Sequence, residues 1–108
     1  MKEYSLGEFE ELVLLMVAAL HGDAYGVAIL ENLEEKMGRK VNISTIHVAL
    51  KRLEKKGYVE SSYGGITLKR GGRRKKYYSI TAYGKKALDY QFELRTSIYK
   101  QIPEISVG

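Results

Sequence analysis

Lys51, Arg52 and Lys55 share one stretch of chain at spacings that a helix would gather on a single face, and Thr45, His47 and Val48 precede them. Guanidinium and ammonium groups so placed neutralise phosphates of a polyanion. A hydroxyl, an imidazole and a branched methyl pair are groups that meet base edges, through hydrogen bonds or contact with a thymine methyl. A second cationic group lies further along, Lys69-Arg70-Gly71-Gly72-Arg73-Arg74-Lys75-Lys76. Little else offers chemistry. Cysteine is absent and His21 and His47 are the only imidazoles, which removes thiol nucleophiles, disulfides and thiolate zinc sites. No carboxylate pair or nucleophile with a neighbouring base stands at useful spacing, and Gly64-Gly65 and Gly71-Gly72 read as turns because no helix follows them as a phosphate cradle requires. No catalytic residue, metal ligand or cofactor is assigned, and an enzyme is the weakest of the function classes.

Charge is divided along the chain. Its 108 residues carry 18 Lys or Arg and 13 Asp or Glu, a net of +5. Residues 1–35 hold Lys2 against eight acids, a net of −7, whereas residues 36–86 hold fifteen basic residues against Glu54 and Glu60, a net of +13. Residues 87–108 are near neutral, at −1. One half therefore attracts polyanions and the other repels them, the footprint of a nucleic-acid binder with a defined docking face. The length suits one compact domain, which at this size buries roughly two-thirds of its unfolded surface and needs no metal or disulfide. The longest apolar run, the nine residues Leu12 to Leu20, falls short of the ~20 a membrane-spanning helix needs. The segment before it carries Lys2 against Glu3, Glu8, Glu10 and Glu11, where a signal peptide would be positive. A cytoplasmic protein with no membrane partner is expected.

The elements that must hold these side chains follow from period and punctuation. Ser5-Leu6-Gly7-Glu8 fits a capping box, which starts a first helix carrying Leu6, Phe9, Leu12, Val13, Met16, Val17 and Leu20 at helical spacing, closed by His21-Gly22-Asp23. Asp23 is expected to cap a second helix over residues 24–37, with Tyr25, Ile29, Leu33 and Met37 four apart and Gly38 as its stop. Ser44 is expected to cap a third, residues 45–56, closed by Gly57, with Ile46, Ala49, Leu50 and Leu53 buried and the cationic set opposite. Strand formers then appear at 58–63 and 76–81, around the glycine-rich basic tip. Thr81 caps a fourth helix from Ala82 to about Gln101, stopped by Pro103. That helix bears two apolar stripes, Ala87, Leu94 and Ile98 beside Leu88, Phe92 and Tyr99, more than one thin contact with the body uses.

Three helices, a basic hairpin and a long amphipathic helix predict an α+β, mainly α, winged helix-turn-helix with a C-terminal dimerisation helix. Residues 1–81 would form the DNA-binding domain and 82–108 the dimerisation helix and a short tail, in one compact unit. The third helix enters a major groove and the hairpin tip follows the adjacent backbone or minor groove. The expected DNA-binding set is Ser44, Thr45, His47, Val48, Lys51, Arg52, Lys55, Arg73, Arg74, Lys75, Lys76 and Tyr77. Lys51, Arg52, Lys55, Arg73, Arg74, Lys75 and Lys76 would mostly meet phosphates of double-stranded DNA, and Thr45, His47 and Val48 base edges. An RNA-binding or protein-interaction winged helix is the alternative, since fold alone does not settle function.

Residues 41–59, VNISTIHVALKRLEKKGYV, resemble the recognition-helix segment of the PadR family of bacterial transcriptional regulators. Residues 72–88, GRRKKYYSITAYGKKAL, resemble that family's wing, second strand and helix start very closely, and Tyr25-Gly26 fits its pattern as well. Where many members carry Tyr-Pro this chain has His47-Val48. The resemblance spans roughly residues 5 to 95 and implies a homodimer that represses transcription from a promoter palindrome, often relieved by a small molecule. Dimerisation would run through the C-terminal helix aided by the first, giving Phe9, Leu12, Leu88, Phe92, Leu94, Ile98 and Tyr99 as candidate dimer residues. Phe92, Tyr99 and Phe9 are the aromatic candidates for holding a small-molecule effector at that interface, against simple packing roles for each.

Overall fold

The computed structural model describes residues 4–64 and 75–104. Its elements run α1 (Glu8–Ala19), α2 (Gly26–Met37), α3 (Ile43–Lys55), β1 (Val59–Tyr63), β2 (Lys76–Ile80) and α4 (Ala82–Tyr99). Four helices with one antiparallel two-stranded sheet make the mainly helical winged-helix fold that the sequence predicts. The expected positions Arg73 and Arg74, with the rest of the hairpin tip from 65 to 74, lie outside the described residues. No helix among the described residues is long and apolar enough to cross a membrane.

Periodicity carries over directly into the core. Val13, Leu14 and Val17 of α1, Ile29 and Leu33 of α2, and Ile46, Ala49, Leu50 and Leu53 of α3 are buried together with Tyr58, Val59, Tyr78, Ala87 and Leu88. Each fully buried aliphatic side chain contributes about 1.5–3 kcal/mol relative to exposure. The helices stop where a left-handed residue is needed: Gly38 has φ 68° and Gly57 φ 82°, conformations costly for any residue with a Cβ.

Three helix starts differ from expectation. α1 begins at Glu8 with Gly7 as its cap residue, and the Gly7 N–H donates to the Glu10 carboxylate at 3.2 Å. Ser5 is employed elsewhere: its N–H donates to the Tyr58 hydroxyl at 3.0 Å and its carbonyl accepts from Lys56 Nζ at 2.8 Å. α2 begins at Gly26 rather than Ala24, and Asp23 is not its cap. The reason is a backbone demand from the hairpin, since the Ala24 carbonyl accepts the Tyr78 N–H at 2.8 Å and Tyr25 forms an antiparallel bridge with Tyr77. α3 begins at Ile43, capped by Asn42, whose Oδ1 accepts both the N–H of Ser44 at 2.8 Å and its hydroxyl at 2.7 Å. Ser44 therefore lies inside the first turn. Thr81 caps α4 as expected, accepting the Gly84 N–H at 3.0 Å.

The hairpin pairs Val59 with Ile80, Ser61 with Tyr78 and Tyr63 with Lys76, so these residues share one face. α4 is buried only along its start, at Gly84, Ala87 and Leu88. Leu88, expected at a dimer contact, is only 7% exposed and belongs to the protomer's own core. Its contacts are already made, because the first turns of α4 pack on the body. Phe9 and Leu12 are partly buried against the same core. Beyond Leu88 the helix leaves the body, with Phe92, Leu94, Ile98 and Tyr99 all exposed. It is tied to α1 by Glu11, which accepts from Gln91 Nε2 at 3.2 Å and pairs with Arg95 at 3.3 Å.

Candidate nucleic-acid interface

Anchoring one face of α3 dictates what the other can present. With Ile46, Ala49, Leu50 and Leu53 buried, Thr45, His47, Val48, Lys51, Arg52 and Lys55 are turned to solvent. Ser44 is exposed too, but its hydroxyl is held by Asn42. The structure thus brings together on one rigid helix the side chains expected from sequence to meet bases and phosphates. Lys51 and Lys55 make no ion pair among the described residues, whereas Arg52 stands 3.9 Å from the Glu10 carboxylate with its side chain 68% exposed.

The hairpin base joins this surface. Lys75 places its ammonium 4.1 Å from the centre of the Tyr25 ring, and Lys76 lies 5.7 Å from that of Tyr78, both as cation–π contacts. Tyr77, expected at the interface, is half-buried with its ring edge-on to Tyr25 at 5.6 Å. Between α3 and the hairpin runs a groove of about 330 Å³ lined by Tyr25, Gly26, Val27, His47, Lys75, Lys76 and Tyr78. His47 therefore belongs with the wing lysines as well as with its own helix. A Cβ on Gly26 would stand 3.1 Å from His47 Cε1, so the bare backbone at the start of α2 is what seats the imidazole.

Three residues that the sequence pattern does not reveal contribute to the site. Helical spacing puts Tyr25 in the apolar stripe of α2 and gives Val27 no role, yet both line the groove, and Val27 is 50% exposed. The Tyr25-Gly26 pair was the available signal. The third is Glu10, a buried carboxylate on α1. Lys56 Nζ donates to it at 2.6 Å. Burial pushes its carboxyl up, but the Lys56 hydrogen bond, the Gly7 N–H and the positive charges of Lys56 and Arg52 together hold it below the usual glutamate value. Lys56 is consequently directed inward to Glu10 and the Ser5 carbonyl, and the α3–α1 ion pair fixes the C-terminal end of the exposed cationic helix.

Residues 14–90 match the model of the transcriptional regulator PadR-like family. A PadR family transcription regulator from Clostridium difficile R20291 is 29% identical in sequence and superimposes with a TM-score of 0.69, covering 87% of this chain and 93% of that one. A Streptococcus mutans UA159 protein is 33% identical, with a TM-score of 0.67 over 92% of this chain and 85% of its own. Uncharacterized protein X of Lysinibacillus sphaericus is 31% identical over 81 residues, which are 73% of this chain and 70% of that protein. The matched family is one of transcriptional regulators. With the family match covering α3, the hairpin and the start of α4, this chain belongs to the PadR-like family of DNA-binding transcriptional regulators.

Proposed function

We propose that the protein works in the cytoplasm as a homodimeric repressor that binds a palindromic operator. The observation that carries this reading is the separation of two unpartnered surfaces on one protomer. α3 and the hairpin base expose Thr45, His47, Val48, Lys51, Arg52, Lys55 and Lys76 on one side, with the half-buried Lys75 beside them, and the far part of α4 exposes Phe92, Leu94, Ile98 and Tyr99. Phe92 is 69% and Tyr99 74% exposed, and aromatic side chains in that state on a helix that has left the body are the kind of surface that a second copy covers. A two-fold axis through α4, with Phe9 and Leu12 of α1 at its margin, would present two copies of α3 about 34 Å apart, one turn of DNA. In this reading Lys51, Lys55, Lys75, Lys76 and the tip residues Arg73 and Arg74 meet phosphates, with Arg52 shared between phosphate and Glu10. Thr45, His47 and Val48 meet base edges. The depression formed by Phe92, Arg95, Thr96 and Tyr99 would enclose a planar small-molecule effector once the partner covers it.

Selection of bound fragments from random duplex DNA at about 0.15 M salt, with competitor present, tests the reading. An inverted repeat is expected among the recovered sequences. Unrelated fragments whose affinity collapses with salt would overturn it.

A further inference from the structure

α4 is joined to the end of the reading helix without slack. The Thr81 hydroxyl, besides capping α4 on the Gly84 N–H, donates to the Gly57 carbonyl at 2.7 Å. The Thr81 N–H donates to the Tyr58 carbonyl at 3.0 Å, and the Tyr58 N–H donates to Leu53 O of α3 at 2.9 Å. A Cβ on Gly84 would overlap the Tyr58 carbonyl oxygen and stand 3.0 Å from Ile80 Cγ1. The first turn of α4 thus rests its bare backbone on the peptide that follows α3. The Tyr58 ring is buried, lies 5.1 Å from that of Tyr83, and accepts the Ser5 N–H on its hydroxyl. Close-packed contacts of this kind do not deform continuously, so α4 cannot turn against the body without moving Tyr58 and with it the end of α3.

We propose that Thr81, seated by Gly84, is a positioning residue for operator reading. It fixes the angle between α3 and α4, and so the separation at which the two copies of α3 in a dimer built on α4 meet their half-sites. The inference rests on the dimeric reading above. One base pair more or fewer between half-sites displaces the second by about 3.4 Å and turns it by about 35°, a misfit that a fixed joint refuses and a loose one absorbs.

The test is binding, at about 0.15 M salt, to the selected inverted repeat, to versions with one base pair inserted or removed between the half-sites, and to a single half-site. Wild type, Thr81→Ser and Thr81→Asp are compared. Aspartate caps a helix as well as threonine does but has no proton for the Gly57 carbonyl, whereas serine keeps both bonds. Wild type and Thr81→Ser are expected to prefer one spacing by at least about tenfold. Thr81→Asp should bind the half-site as wild type does, yet bind all three spacings within about threefold. An undiminished preference in Thr81→Asp overturns the inference and leaves the dimeric reading standing, while a wild type indifferent to spacing overturns both. Amide exchange on the wild-type protein reads the joint without any variant. The N–H groups of Tyr58, Thr81 and Gly84 are expected to open as one unit, and faster, independent opening of Thr81 and Gly84 would also overturn it.

Discussion

Lys55→Ala and Lys56→Ala remove the same charge from adjacent positions, and they are expected to fail in different assays. Lys55 is exposed on α3 with no ion pair among the described residues. Lys56 Nζ lies 2.6 Å from Glu10 and 2.8 Å from the Ser5 carbonyl. A phosphate contact contributes about 0.9 to the slope of log affinity against log salt. Two copies of Lys55 in a dimer therefore account for about 1.8, and the ratio of wild-type to Lys55→Ala affinity should shrink about twelvefold between 50 and 200 mM salt. Thermal stability should stay within about 0.5 kcal/mol of wild type, as for an ordinary surface substitution. Lys56→Ala instead removes the ammonium that Glu10 and the Ser5 carbonyl share, leaving the buried carboxylate with the Gly7 N–H and the more distant Arg52. It should cost about 2 kcal/mol, a fall of roughly 10 °C in Tm for a chain of this size, with the salt slope unchanged. Anisotropy titrations at four salt concentrations and thermal melts on the same samples measure both. A flattened slope for Lys56→Ala, or an unchanged one for Lys55→Ala, would refute the assignment of these two lysines.

Other consequences of the geometry can be checked alongside. Because Glu10 titrates below its ordinary value in the folded protein, its contribution is complete above the unfolded value of 4.5 and is lost as pH falls through the folded one. Glu10→Gln should therefore melt lower than wild type at pH 7, the two converging as pH drops below about 4; a gap that persists unchanged in acid would contradict this. Gly26→Ala puts a methyl against His47 Cε1 and should alter preference at the one or two base pairs that respond to His47→Ala, leaving binding to random duplex unchanged. Identical base preferences in wild type and Gly26→Ala would remove the groove from the account. Phe92→Glu, at a side chain 69% exposed in the protomer, should sediment as a folded monomer at micromolar concentration, and a retained dimer would place the interface elsewhere.

What the sequence made legible was what neighbouring residues decide. The stripe Ile46, Ala49, Leu50 and Leu53 repeats at helical spacing, so both the buried and the exposed face of α3 follow from it. Thr81 caps α4 through a bond three residues away, again a local signal. Ser5 offered an equally good local signal and did not cap, because its carbonyl is held by Lys56 and its N–H by Tyr58, across 51 and 53 positions. Asp23 lost α2 for a similar reason, the pairing of Ala24 and Tyr25 with the second strand. The same limit governs the site. Charge placed Lys55 and Lys56 together, and only the packing of α1 on α3 separates a lysine free to meet phosphate from one held by Glu10. Leu88 and Phe92 lie four apart on α4 with similar hydrophobicity, yet the first is core and the second surface, since the point at which a helix leaves the body is a property of the assembled fold.

Hydroxyl-radical footprinting of the selected duplex, with the protein bound at about 0.15 M salt, tests most directly the central claim that two copies of α3 are presented at a fixed separation. Two protected patches related by a dyad and centred one helical turn apart, about 34 Å, are the result the account predicts. A single patch, or protection without symmetry, would contradict it.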